Sequence, residues 1–142
     1  MNRLAVVAGT LAGPFHEIDG LFERANPGVT VEPQFGGSVM MAKRITDLHQ
    51  AADILAVADY SVIPTYFFAK GGKPGLADWY VGFARNAVTF VYGPKSKGAG
   101  EIMAQNWYEV LARPGVEIGR SNPDTDPSGY QTLQMLSLAE RY

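Results

Sequence analysis

At 142 residues, 46% hydrophobic and 18% charged, the chain has the composition of a folded protein, with length for one sizeable core or two small ones. A net charge of -2 with no run of Lys or Arg lacks the electrostatic footprint of a nucleic-acid binder, and the absence of cysteine excludes disulfides, thiolate metal ligands and Cys nucleophiles. No apolar stretch reaches the roughly 18 residues that span a bilayer, and Met1-Asn2-Arg3 leads straight into a strand-like run with no signal-peptide hydrophobic region, so any export signal is expected to lie outside this chain.

Leu4 to Val7 is a short apolar run closed by Ala8-Gly9-Thr10, and from Pro14 the residues Phe15, Ile18, Leu21, Phe22 and Ala25 recur at helical spacing. This predicts strand, tight loop and helix, with Asn26-Pro27-Gly28 as the stop. Val29 to Phe35 alternates like a half-buried strand, and Gly36-Gly37-Ser38 opens a second helical pattern through Met41, Ile45 and Leu48. Asp53 to Val57 reads as a third strand, Ala58-Asp59-Tyr60 as its loop, and a third helix runs from near Ser61 to about Ala69. Strand-loop-helix units in succession predict a parallel sheet with right-handed crossovers.

After the glycine-rich loop Lys70 to Leu76, the segments Trp79 to Ala84 and Ala87 to Tyr92 carry the aromatic and β-branched residues of strands. Arg85-Asn86 between them is either a crossing from one lobe to another or a simple bend within one domain. Gly93 to Gly100 is a loop, Asn106 to Ala112 a short helix, Val116 to Arg120 a strand, and Ser121 to Tyr130 a polar loop before an amphipathic helix from Gln131 to Tyr142. A second lobe built only from these last elements leaves an apolar sheet face uncovered, so the chain is expected to be truncated; the alternative is a complete small α/β domain with a frayed last helix.

Three loops are expected at the C-terminal ends of parallel strands, where open α/β sheets bind ligands: Gly9-Thr10, Gly37-Ser38 and Asp59-Tyr60-Ser61. Glycine admits close backbone approach, first-turn N-H groups lack intrahelical partners, and a hydroxyl adds a donor, so the first two loops suit an anion. Thr10 and Ser38 serve equally well as helix caps. No Gly-Lys-Ser/Thr phosphate loop, Gly-x-Gly-x-x-Gly fingerprint, HExxH or Gly-x-Ser-x-Gly elbow occurs. His16 and His49 lie on different helical stretches and read as ordinary histidines. Trp79, Tyr80, Phe83, Phe90, Tyr92, Trp107 and Tyr108 read as core in preference to a ligand-stacking set. Asp124 and Asp126, flanked by Pro and Gly before the last helix, cap it, bind a cation or face a ligand, with turn formation the default.

Taken in order, Ala8-Gly9-Thr10-Leu11, Gly37-Ser38, Ala52-Asp53-Ile54-Leu55-Ala56, Ala58-Asp59-Tyr60, Ala77-Asp78-Trp79-Tyr80, Asn106-Trp107-Tyr108, Ser121-Asn122-Pro123 and Asp126-Pro127-Ser128-Gly129-Tyr130 resemble the molybdate/tungstate-binding protein family of the archaeal type. The resemblance runs from about Leu4 to Tyr142, and its last motif is the most specific. It implies an α/β, type II periplasmic-binding-protein fold: two lobes, residues 1–84 and 85–142, each with a parallel-rich sheet flanked by helices and the second incomplete. An oxyanion, tungstate or molybdate, would bind between the lobes. Thr10, at a position where the family usually has serine, and Ser38 would donate to oxyanion oxygens. Asp126 would approach the W or Mo centre, with Asp124 in reserve and a second carboxylate beyond Tyr142; Gly9, Gly37, Asp59, Tyr60 and Tyr130 are secondary candidates. W(VI) and Mo(VI) are hard Lewis acids that accept further oxygen ligands, whereas the sulfur of sulfate does not.

The same resemblance implies a non-enzymatic, extracytoplasmic, membrane-associated binding protein that needs no cofactor and is partnered by the permease and ATPase of an ABC importer. Competing readings are a binding protein for sulfate or phosphate, a ligand-sensing regulatory domain of the same fold, and a small α/β enzyme with Asp124 or Asp126 as general base. The enzyme lacks a visible nucleophile.

Overall fold

The apolar run near the N-terminus becomes the middle of the sheet. In the computed structural model, which describes residues 1–140, β1 (Asn2–Ala8) pairs in parallel with β2 (Thr30–Gly36) on one side and β3 (Ile54–Ala56) on the other, giving the order β2-β1-β3. A strand flanked on both edges and covered on both faces has no polar face, which is why Ala5, Val6, Val7 and Ala8 are consecutive apolar residues and are all buried.

The helices follow from the same topology. A 3-10 turn (Gly9–Leu11) leads into α1 (Ala12–Ala25), which Gly28, at φ 91°, helps turn back toward β2; α2 (Ser38–Thr46) and α3 (Val62–Phe67) follow β2 and β3. The crossover from β1 to β2 runs one way across the sheet and that from β2 to β3 runs back over β1, so a common right-handed sense puts their helices on opposite faces. Two apolar clusters match this. Ala5, Val7 and Ala56 pack with Leu11, Phe15, Val31 and Phe35 on one side; Ala42, Val62, Ile63 and Phe67 pack with Val39, Ile45 and Leu55 on the other. Leu55 and Ala56 are neighbours in β3 and fall in different clusters, as the period-two alternation of a strand requires. Burying side chains such as Val6 and Val7 completely contributes about 1.5–3 kcal/mol each.

The register of the short β3 is pinned by one residue before it. The Asp53 N-H donates to the Leu4 carbonyl at 2.9 Å, its Oδ2 accepts the Leu4 N-H at 2.9 Å, and its Oδ1 accepts from Arg3 Nη1 at 2.6 Å. Ile54 is thereby placed opposite Ala5.

The chain forms two compact units, one of Met1–Arg85 with Asp124–Pro127 and one of Asn86–Pro123 with Ser128 onward. The second holds α4 (Trp107–Leu111) around the buried Val110, and α5 (Pro127–Ala139), which starts within the first unit's short segment. Asn106 organises the entry to α4: its Oδ1 accepts the Met103 N-H and its Nδ2 donates to the Glu101 carbonyl. Pro127 is the first residue of α5, where a missing N-H is not needed by the helix. No helix among the described residues is long and apolar enough to cross a membrane.

Three expected strands are corrected. Trp79 to Ala84, Ala87 to Tyr92 and Val116 to Arg120 have no regular structure, so the parallel-rich sheet expected in the second lobe is absent from the described residues. β-rich side chains report a fit to a half-buried pleated surface, and backbone groups in a strand need a partner ladder; these segments have neither. The aromatic set is corrected with them. Trp79, Tyr80, Phe83, Tyr92 and Tyr108 are exposed, and Phe90 and Trp107 are half-buried with ring centroids 5.2 Å apart. The last helix starts at Pro127, four residues earlier than its apolar pattern suggests, and Arg141 and Tyr142 of the expected span lie outside the described residues.

The Leu4 N-H and then the Arg3 guanidinium hold the Asp53 carboxyl below the usual carboxylate range. A carboxyl depressed in the folded state contributes stability in full above its unfolded pKa, about 4, and loses it as pH falls through the lower folded value. Asp53→Ala is expected to lower the thermal midpoint at about pH 7, with the gap to the parent narrowing from about pH 4 downward. Melting curves across that range test this.

Candidate functional site

The pairing of Ala8 with Gly36 sets the ends of β1 and β2 level, so the 3-10 turn, the Gly37-Ser38 loop and the loop after Ala56 all leave the C-terminal edge of one sheet. Sequence reasoning leaves Thr10 and Ser38 as caps or ligand donors; neither caps a helix. Thr10 lies exposed within the 3-10 turn, and α1 has Leu11 at its N-cap with no side-chain cap bond. Ser38 is the first residue inside α2, Gly37 holds the N-cap position, and no side-chain cap bond is made there either.

Ser38 has a different contact. It is fully buried, and its Oγ accepts the Ala58 N-H at 3.0 Å. Because β2 and β3 flank β1 without touching, this bond ties the loops after the two outer strands together across the end of the central one. A hydroxyl that accepts still has its single O-H to donate.

The third loop is ordered by its own aspartate. Asp59 Oδ1 accepts from both the N-H of Ser61 at 2.8 Å and its Oγ at 2.7 Å, an Asx turn that leads into α3. Tyr60 is exposed, with its ring stacked on Tyr80 at 6.5 Å between centroids.

Asp126 reaches the same edge from far along the chain. The Thr125 carbonyl accepts the N-H groups of Val39 at 3.2 Å and Met40 at 3.4 Å, two of the first-turn donors that α2 leaves without an intrahelical partner. This lays the segment Asp124–Pro127 over Gly37, with half-buried Asp126 beside it and Pro127 buried; Asp124 is exposed. Ser38, Gly37 and Asp126 thus share one locality, with Gly9 and Thr10 on the neighbouring loop of the same edge. Tyr130 lies on α5 in the second unit. Of the two histidines, His16 packs its ring against Phe35 at 5.1 Å. One turn on, burial and then Glu23 push the Asp19 carboxyl up, opposed by His16.

Sequence reasoning missed the Thr125 carbonyl, a main-chain acceptor that no residue type advertises. It also gave Ser38 no role in joining two loops. The only linear hint is Pro127, which shows that α5 begins there and that the residues before it are turning.

Open α/β sheets bind ligands at such an edge, and the chain belongs to the bacterial extracellular solute-binding protein family, whose model matches residues 4–142. Among its relatives, an uncharacterized solute-binding protein of Methanoculleus marisnigri is 47% identical over 95% of this chain and 37% of its own length. The molybdate/tungstate-binding protein WtpA of Thermococcus kodakarensis is 39% identical over 95% of this chain and 39% of its own, and the WtpA of Pyrococcus abyssi 37% identical over 95% and 40%. The chain spans about two-fifths of the length of these relatives.

Removing the Ser38 hydroxyl takes away the acceptor of the Ala58 N-H, a part-buried hydrogen bond, at a cost of about 0.5–1.5 kcal/mol. Ser38→Ala is expected to lose that much in chemical denaturation.

Proposed function

We propose that this chain carries part of the binding site of an extracytoplasmic solute-binding protein for a tetrahedral oxyanion, tungstate or molybdate, and that it binds without catalysing a reaction. The observation that carries this reading is the meeting of Asp126 with the Gly37-Ser38 loop at the C-terminal edge of the sheet. The names of the Thermococcus and Pyrococcus relatives support the choice of anion.

Thr10 and Ser38 would donate to the oxyanion oxygens, with the backbone at Gly9 and Gly37 allowing close approach. Asp126 would approach the metal centre of the anion. A carboxylate beside a dianion is repelled unless it gains a bond, and W(VI) or Mo(VI) supplies one by accepting another oxygen ligand. The donor supply points the same way. The Thr125 carbonyl already engages the N-H groups of Val39 and Met40, which lowers the number of donors offered to an anion such as sulfate that depends on hydrogen bonds alone. Residues 1–84 and 85–142 would contribute to two lobes that close on the anion, and a second carboxylate would come from outside this chain. The partners are then the permease and ATPase of an ABC importer.

Isothermal titration calorimetry of this chain, and of the Methanoculleus relative at its full length, against tungstate, molybdate, sulfate and phosphate tests the reading. Tungstate and molybdate are expected to bind with sulfate and phosphate silent, and Asp126→Ala is expected to cost about tenfold or more in affinity, equivalent to at least about 1.4 kcal/mol. Binding of sulfate or phosphate that is indifferent to Asp126→Ala would sink the metal-oxyanion assignment and favour a site made of hydrogen bonds only.

A further inference from the structure

We propose that Gly37 is a positioning residue: the space left by its missing side chain is the seat of the Thr125 carbonyl, and through it Gly37 sets where Asp126 stands. The functional consequence rests on the assignment of Asp126 as an anion ligand; the seating does not.

Gly37 has φ -62° and ψ 139°, ordinary extended backbone open to any residue, so its conformation gives no reason for glycine. Its surroundings do. A Cβ at this position would overlap the Thr125 carbonyl oxygen and stand 3.0 Å from the Thr125 carbonyl carbon and 3.3 Å from Asp126 Cβ. The first two are backbone atoms, which cannot rotate away as the tip of a long side chain does. At Gly36, by contrast, an added Cβ would press on the ends of the Met40 and Met41 side chains.

The seated segment is short. Asp124–Pro127 belongs to the first unit, while the residues on either side of it belong to the second. The Thr125 carbonyl accepts both the Val39 and the Met40 N-H, so the backbone contact that lays the segment on α2 converges on a single oxygen directly over Gly37. A side chain at position 37 must lift that oxygen from both donors and carry the adjoining Asp126 with it.

Amide exchange followed by NMR reads the seating without any ligand. In Gly37→Ala, the amides of Val39 and Met40 are expected to lose about tenfold or more in protection while those of Val6 and Val7 in β1 keep theirs; unchanged protection at Val39 and Met40 overturns the proposal. Calorimetry with tungstate then reads the consequence through a double-mutant cycle. Gly37→Ala and Asp126→Ala are each expected to weaken binding about tenfold or more, and the double variant no further, because both remove one carboxylate from one place. Losses that multiply would show that Gly37 does not act through Asp126. A parent chain that binds tungstate equally well with and without Asp126 defeats the anion assignment, and the exchange result still decides the seating. Should Gly37→Ala fail to fold, the parent decides: nuclear Overhauser contacts between the Gly37 Hα protons and the Asp126 side chain are expected from the close approach of the two residues, and their absence overturns the proposal.

Discussion

The burial of Ala5 to Ala8 in β1 is the constraint from which the first unit follows. Once Ala5 to Ala8 are enclosed on both faces, a parallel strand must cover each edge of β1 and helices must cover each face, and the consecutive helices must cross in opposite directions to reach β2 and then β3. That arrangement sends every strand-to-helix loop out of one edge. The candidate site is a by-product of that geometry: Gly9, Thr10, Gly37, Ser38 and Asp59 leave the same edge because strand ends are level and loops are short.

Interactions at that edge are local and of different kinds. Ser38 ties two loops together by accepting a hydrogen bond, Asp59 orders the entry to α3, and the Thr125 carbonyl takes up donors that a helix start always leaves open. The third has most bearing on function, because it recruits a segment far along the chain and brings a carboxylate to a place where a helix terminus favours negative charge. An anion arriving there meets a set of groups already bonded to one another. Its affinity then depends on what it gains at the carboxylate as much as on the hydrogen bonds it collects.

The exposed apolar residues between Trp79 and Tyr92 show the limit of local propensity. Trp79, Val81, Phe83 and Val91 have the side chains of strands and remain in water, because propensity for a strand is largely the promise of a partner ladder and a buried face. The aromatic contacts that do form, such as Phe15 with Phe83 at 6.2 Å and Phe68 with Tyr80 at 6.1 Å, tether individual rings and do not make a layer.

The amino-acid sequence by itself determined the first three strand-helix units, the stop at Asn26-Pro27-Gly28 and the loops that open at Gly9 and Gly37, because burial periodicity and the chemistry of glycine and proline act over a few neighbouring residues. Its ordered motifs also made the solute-binding family legible and put Asp126 among the candidate ligands. Tertiary structure alone decided that Ser38 joins loops instead of capping a helix, that the β-rich segments after Ala77 stay unpaired, and that the Thr125 carbonyl lies over Gly37. Each of these depends on which backbone groups are left without partners after the sheet has closed. That is a property of residues distant in sequence, and no local pattern encodes it.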